Sequence, residues 1–174
     1  MAHFAEIKSS DNLVLRVNVK KDSDVESNGG EYTTEVEQWV ANNTPQCPII
    51  KAEQGGTYPE TFWKQCSYNT RLGVHTLDGT PKRFNYPSPG SYWKNDVEGF
   101  TTIKHFDSWV LDNSTLEYKA PVDRPTDEQR KQNPSDENTW YEITSWDEEN
   151  QYWTGTGTDG NNYSWNGTTW TQIV

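Results

Sequence analysis

Trp146-Asp-Glu-Glu-Asn-Gln-Tyr-Trp153 is the stretch of sequence that most restricts the fold of this chain. Trp165-Asn-Gly-Thr-Thr-Trp170 repeats its plan, in which two aromatic residues lie on either side of a polar turn. The segment 109–118, which begins with Trp and ends with Tyr, is a looser copy. Because aromatic residues that face each other across a hairpin stabilise its strands, each copy predicts a β-hairpin.

Residues 120–137 precede the two close copies and differ sharply from them in composition. The segment contains three prolines and no aromatic residue, which is typical of a linker or a long surface excursion. We therefore predict three parts: a β-rich main domain over 1–119, a Pro-rich segment over 120–137, and a Trp-rich hairpin meander over 138–174.

The main domain carries further strand signals. Residues 2–8 and 13–19 form two short runs around the polar turn Ser9-Ser10-Asp11-Asn12, which predicts a hairpin. Residues 63–69 predict another strand, and residues 92–100 a pair of strands around a turn. The dipeptide Asp78-Gly79 is the strongest hairpin-turn signal in this domain.

One short helix is expected in this otherwise β-rich chain. Thr34-Glu35-Val36-Glu37 fits a capping box with Thr34 as the N-cap, and the helix should end before Pro45. Residues 21–31 are polar and predict a loop. The expected fold class is mostly β, with a small sheet or sandwich-like domain, one short helix and a Trp-rich meander.

Composition and charge exclude several function classes. Only 31% of residues are hydrophobic, yet nine are tryptophan, so aromatic rings must supply much of the packing. The net charge of −11 disfavours nucleic acid and anionic membranes as partners. The chain starts with no secretory signal, which predicts synthesis in a cytoplasm and reduced Cys47 and Cys66; a disulfide between them would require an oxidising environment.

No pattern in the sequence indicates catalysis. His3, His75 and His105 are far apart and lie in no metal-ligand motif, and no nucleophile or phosphate-loop motif is present. The many acidic residues leave a glycosidase-type carboxylate pair open, but no two of them stand out. We therefore predict no catalytic, cofactor-binding or metal-binding residues.

The aromatic residues of the meander form the candidate interaction surface. Its members are Trp146, Trp153, Tyr163, Trp165 and Trp170. Exposed Trp rings can stack on sugars, so a glycan is one candidate partner. The alternative, which the turn-bracketing positions favour, is that the rings pack against each other across hairpins that have almost no aliphatic residues.

Several blocks resemble a group of small virion-associated proteins from tailed phages of marine cyanobacteria and related bacteria. They are Met1-Ala-His-Phe-Ala-Glu-Ile7, Trp63-Lys-Gln-Cys-Ser-Tyr-Asn-Thr70, Arg83-Phe-Asn-Tyr86, Asp96-Val-Glu-Gly-Phe100, Ser108-Trp-Val-Leu111 and Ala120-Pro-Val-Asp-Arg-Pro-Thr-Asp127. The resemblance covers residues 1–127 in blocks and extends to the Trp-Asp-Glu…Trp pattern of the meander. The chain departs from the group at Tyr86-Pro-Ser-Pro-Gly90.

The resemblance implies a virion component and neither an enzyme activity nor a cofactor. We expect a non-enzymatic virion structural protein, most simply a capsid decoration or cement protein. It would bind other virion proteins, such as the major capsid protein, in many copies. A tail or fibre component that binds a host glycan is the alternative, and a small polysaccharide hydrolase is a third.

Overall fold

The computed structural model describes residues 1–46, 56–133 and 136–173. Antiparallel β-sheets dominate these residues, which confirms the mostly β fold class. The chain divides into two compact units: Met1–Lys104 with Leu111–Tyr118, and His105–Val110 with Lys119–Val174. The Pro-rich segment that follows residue 119 therefore belongs to the second unit.

A three-stranded antiparallel sheet forms the base of the first unit. Strands β1 (Ala2–Lys8) and β2 (Val14–Lys20) form the predicted N-terminal hairpin, and β3 (Thr61–Cys66) pairs with the other edge of β1. Phe4, Ala5 and Ile7 of the central strand are fully buried. Because successive side chains of a strand point to opposite faces, Phe4 packs into one core on one side of the sheet while Ala5 and Ile7 pack into another.

Two helices cover the core that contains Phe4, so the expectation of a single helix is wrong. Helix α1 (Asp22–Ser27) occupies residues that were predicted to form a loop, and α2 (Thr34–Asn43) is the predicted helix. Val25 is 1% exposed and packs in the same cluster as Phe4 and Val36. One apolar residue anchors this short polar helix through tertiary contacts that a local reading of a polar segment does not reveal.

The N-cap of α2 is Thr33 rather than Thr34. The hydroxyl oxygen of Thr33 accepts the backbone N–H of Val36 at 3.2 Å, and the same hydroxyl donates to the carbonyl of Gly30 at 3.0 Å. The helix thus begins at Thr34, one residue earlier than the capping-box pattern predicts.

Thr33→Ala should lower the free energy of unfolding of the first unit by about 1 kcal/mol, because an N-terminal N–H of α2 loses its acceptor. Urea denaturation of the variant and the parent measures the difference. Thr34→Ala is the matched control, since Thr34 is exposed and caps nothing. A larger effect at Thr34 than at Thr33 would contradict this assignment of the cap.

Short hairpins complete the first unit. Strands β4 (Thr70–Arg71) and β5 (Val74–His75) pair around Leu72-Gly73, where both residues have positive φ. The turn predicted at Asp78-Gly79 does not join two strands; it wraps around His75, whose Nδ1 accepts the backbone N–H of Gly79 at 2.9 Å. The pair of strands expected within residues 92–100 is confirmed as β6 (Trp93–Lys94) and β7 (Gly99–Phe100).

The predicted hairpin at 109–118 is also present. It consists of β8 (Val110–Asp112) and β9 (Glu117–Lys119), which pair with each other. The phenylalanine of β7 and the tryptophan of β6 face each other within the core that contains Ile7, with ring centroids 4.8 Å apart.

The second unit is built on a five-stranded antiparallel meander. The sequence predicts a meander over 138–174, but the first strand of the sheet lies within 120–137, the segment that was expected to be a linker or a surface excursion. A short 3₁₀ helix (Glu128–Arg130) leads into the sheet. The strands, which neighbour one another in chain order, are β10 (Lys131–Asn133), β11 (Asp136–Asp147), β12 (Tyr152–Gly157), β13 (Asn162–Trp165) and β14 (Trp170–Gln172).

Candidate functional site

Four tryptophans form one row across four strands of the second unit. Trp146 lies opposite Trp153, Trp153 opposite Trp165, and Trp165 opposite Trp170. Residues directly opposite each other project from the same face of a sheet, so all four rings share a face. The ring centroids are 5.4 Å apart for the first pair and 5.6 Å for the last. We call these four residues the tryptophan row.

Tyr163 belongs to the same face, since it lies two residues before Trp165 on β13. Its ring contacts that of Tyr141 at 4.8 Å, and Tyr141 in turn stacks on Trp170 at 4.5 Å. The Tyr163 hydroxyl donates to Asp159 at 2.6 Å, and this hydrogen bond raises the pKa of Tyr163 and lowers that of Asp159. The structure therefore brings all five predicted surface residues together on one face.

Gly155 of β12 allows the rings to lie flat on the sheet. A Cβ atom at this position would lie 3.0 Å from the ring of Trp170 and 2.9 Å from the carbonyl oxygen of Glu142. Trp170 can therefore reach over Gly155 to stack on Tyr141, two strands beyond its own neighbour, because the intervening residue has no side chain.

The chain's own segment 122–129 accepts hydrogen bonds from three indoles of the row. The acceptors are the backbone carbonyls of Val122 (from Trp153, 2.9 Å), Asp123 (from Trp165, 3.1 Å) and Gln129 (from Trp170, 2.7 Å). The fourth indole, that of Trp146, donates to the carboxylate of Glu148 at 2.9 Å. A buried indole N–H needs such a partner, and here the protein itself supplies all four.

The row is consequently used for packing inside the unit. Trp146 is 4% exposed and Trp165 is 3% exposed, whereas Trp153 and Trp170 are half-buried. In this arrangement a sugar has no access to the faces of the two buried rings, those of Trp146 and Trp165. The composition of 122–129 gave no sign of this role, because the acceptors are backbone carbonyls, which every residue possesses.

A separate cleft lies on the opposite face of the sheet and was not foreseen from the sequence. Its volume is about 620 Å³, and it is lined by Asp127, Arg130, Trp140, Glu142, Thr156, Gly157 and Thr158. Trp140 and Glu142 flank Tyr141 on β11, so they point away from the tryptophan row. We call this site the Arg130 cleft. No fixed spacing connects its members, which explains why pattern analysis missed it.

Arg130 organises the cleft. Its Nη1 donates to Asp127 at 3.2 Å, its Nη2 to Glu142 at 3.1 Å, and its Nε to the backbone carbonyl of Tyr141 at 3.1 Å. The guanidinium also lies 5.8 Å from the centre of the Trp140 ring, within the range of a cation–π contact. Arg130 thus holds four groups side by side: its own guanidinium, two carboxylates and an aromatic ring.

The three histidines lie in different surroundings. His3 contacts the rings of Tyr68 and Tyr86, His75 holds the turn described above, and His105 packs on Trp109. Burial lowers the pKa of His3. Within the described parts of the chain, no three His, Cys, Asp or Glu residues form a group that could hold a metal ion. No helix among those residues is long and apolar enough to cross a membrane.

Cys66 is a free, buried thiol at the end of β3. Desolvation raises the pKa of this thiol from its ordinary value of 9.0 to about 12, although the nearby charge of Arg83 acts in the opposite direction. Cys47, which is also expected to be a reduced thiol, lies outside the described residues.

Cys66 should resist alkylation in the native protein, because only the thiolate is nucleophilic and burial lowers its population at pH 8 by about a thousandfold. Iodoacetamide labelling of a Cys47→Ser variant, followed by mass spectrometry, reports on Cys66 alone. The same variant in urea is the control and should label at the ordinary rate. Equal rates in both conditions would contradict the prediction.

No protein-family model, curated protein or solved structure matches the chain. The functional interpretation therefore rests on the residues of the two units and on the resemblance of the sequence blocks.

Proposed function

We propose that the chain is a non-enzymatic structural protein of a phage virion, and that it acts as a capsid decoration or cement protein on the assembled shell. The resemblance of the blocks within residues 1–127 supports the virion assignment. The observation that best supports docking is a set of exposed apolar side chains on the hairpin of β4 and β5. We call residues 68–77 the exposed hairpin.

Tyr68 has the character of an interface anchor. Its side chain is 71% exposed, yet its ring stacks on His3 at 6.0 Å and meets the edge of Tyr86 at 5.3 Å. An exposed ring that is already held in place loses little conformational entropy on binding, and aromatic residues are enriched at the centres of interfaces.

Val74 and Leu77 extend the apolar character of the exposed hairpin. They are 64% and 71% exposed, although the chain as a whole is polar. The carbonyl of Asn69 accepts the backbone N–H of Thr76 at 2.7 Å, which continues the ladder of β4 and β5 by one position. Tyr68 precedes Asn69 on one arm and Leu77 follows Thr76 in the turn around His75, so both exposed side chains lie near the open end of the hairpin.

A few exposed apolar side chains give only weak binding at a single site. A shell repeats the site many times, and many weak contacts arranged by symmetry can stabilise a lattice that no single contact would hold. The tryptophan row is a less direct candidate for docking, because its indoles are engaged within the second unit.

Copy number and a docking variant test the proposal together. Quantitative gels of purified particles should give hundreds of copies per virion, whereas a few to tens would indicate a tail component. In an add-back assay on particles that lack the protein, Tyr68→Ala with Leu77→Ser should reduce occupancy about tenfold or more.

Val97→Ser is the matched control, since Val97 is 42% exposed in the turn between β6 and β7 and lies outside the exposed hairpin. It should bind like the parent. Full occupancy by the double variant, with both proteins folded by circular dichroism, would exclude the exposed hairpin as the docking element.

A further inference from the structure

We infer that the Arg130 cleft binds a neutral saccharide through two neighbouring hydroxyl groups. This goes beyond the proposed structural role and does not depend on it, since a decoration protein and a tail protein could each carry such a site. The residues that line the Arg130 cleft are not those of the tryptophan row, which the sequence indicates as the candidate surface for sugar stacking.

The shape of the cleft suits a ligand of one or two sugar rings. Its volume of about 620 Å³ falls within the usual range of small-molecule sites. Gly157 contributes backbone to the wall of the cleft.

The polar groups of the cleft match a vicinal diol. A guanidinium has five N–H donors, and Arg130 uses three of them in the bonds to Asp127, Glu142 and Tyr141, which leaves two. Each carboxylate accepts one of these bonds and has capacity for several more. Two adjacent hydroxyls can thus donate to the carboxylates while they accept from the guanidinium.

Trp140 supplies the apolar contact that a sugar ring needs. Sugar rings present C–H groups on one face, and binding sites pair such faces with aromatic side chains while a few polar groups fix the orientation. Trp140 is half-buried and lines the cleft next to the guanidinium of Arg130. Thr156 and Thr158 add hydroxyl groups to the wall from β12 and the residue that follows it.

Charge selects a neutral ligand. The cleft holds two carboxylates against one guanidinium, and the whole chain carries a charge of −11, so an anionic saccharide or a phosphate would be repelled. The ion pairs themselves have little value for stability, because the side chains of Asp127 and Glu142 are 85% and 76% exposed. Since these exposed ion pairs contribute little to stability, we assign them a role in ligand binding.

The test is a titration of the full chain with three neutral hexasaccharides: maltohexaose, cellohexaose and mannohexaose. Hexagalacturonate serves as the anionic probe. The nine tryptophan indole N–H signals are followed by ¹H–¹⁵N NMR and assigned by single substitutions. We expect at least one neutral probe to shift the Trp140 signal in a saturable way with a Kd of the order of 1 mM, and the tryptophan row to stay unchanged.

Glu142→Gln should weaken this binding about tenfold, because it removes the charge that accepts both from Arg130 and from the ligand. Glu149→Gln is the matched control; it removes the same charge from an exposed position in the turn between β11 and β12 and should bind like the parent. Asp127→Asn, on the 3₁₀ side of the cleft, gives a second conservative variant if Glu142→Gln alters the fold.

Several results would overturn the inference. They are no shift with any neutral probe up to about 50 mM, a stronger response to hexagalacturonate, shifts confined to the tryptophan row, or equal binding by Glu142→Gln and Glu149→Gln. Release of new reducing ends that Glu142→Gln abolishes would show hydrolysis instead of simple binding. None of these results affects the particle-occupancy assay, so failure of this inference and failure of the structural role are distinguishable.

Discussion

Glu37→Ala is expected to lower the free energy of unfolding of the first unit by about 3–5 kcal/mol, the range observed when one partner of a buried ion pair is removed. Glu37 lies on α2 and is 6% exposed. Its carboxylate accepts Nζ of Lys64 at 2.8 Å, Nη1 of Arg83 at 2.7 Å and the backbone N–H of Gln65 at 3.1 Å.

The cost arises from the groups that remain. The side chain of Arg83 is only 12% exposed, and its guanidinium lies 5.2 Å from the ring centre of Trp93. The charge would stay in this poorly solvated place with the carbonyl of Gln65, at 2.6 Å, as its other acceptor. The N–H of Gln65 on the outer edge of β3 would also lose its partner.

Urea denaturation, followed by amide hydrogen exchange in β1 and β3, measures the loss for this unit. Glu35→Ala is the control on the same helix; Glu35 is exposed and contributes mainly through the helix dipole, so its effect should stay below about 1 kcal/mol. Glu37→Gln should fall between the two, since it retains the shape and one acceptor. Equal stabilities of the Glu35 and Glu37 variants would refute the assigned role of the network.

Glu37 also illustrates what the sequence can and cannot reveal. The capping-box pattern identifies the helix correctly, yet it assigns the Glu37 side chain to the helix N-terminus. In the structure that carboxylate binds Lys64 and Arg83, which are 27 and 46 residues away along the chain. Local patterns contain no information on such distant partners, and competition between a local and a distant partner is settled by packing.

Whether an element depends on contacts that a local pattern describes also decides which of the other predicted elements are found in the structure. The hairpins of the second unit are local, with cross-strand partners at most sixteen residues apart, and the aromatic positions of 146–170 predict them. Helix α1 depends on the burial of Val25 against distant residues, and the turn at Asp78-Gly79 depends on the imidazole of His75. The helix was misassigned because its deciding contacts are tertiary, whereas the turn depends on a side chain-to-backbone hydrogen bond between residues four apart, which the Asp-Gly pattern does not describe.

Trp165→Ala should lower the free energy of unfolding of the second unit by about 3–5 kcal/mol, as large-to-small substitutions of buried aromatic residues do. Trp165 lies within the row, opposite both Trp153 and Trp170, and is 3% exposed. The substitution would leave a cavity at the centre of the aromatic face, in a unit with few aliphatic side chains that could fill it.

The variant should also loosen the segment that crosses the row. The indole of Trp165 donates to the carbonyl of Asp123 at 3.1 Å, so its loss removes one of the three indole hydrogen bonds to residues 122–129. Trp165→Phe keeps a ring but lacks the N–H, and it should therefore be more stable than Trp165→Ala while it shares the faster amide exchange and proteolysis near Asp123.

Thr171→Ala is the control for this pair of variants. Thr171 follows Trp170 on β14, so its side chain points to the opposite face, and it is exposed. Its effect should stay within about 0.5 kcal/mol. Hydrogen exchange of the β12 and β13 amides reports the stability of the second unit in each variant. If Trp165→Ala lowers the free energy of unfolding no more than Thr171→Ala does, the tryptophan row is not the core of this unit. Its rings would then again be candidates for a binding surface.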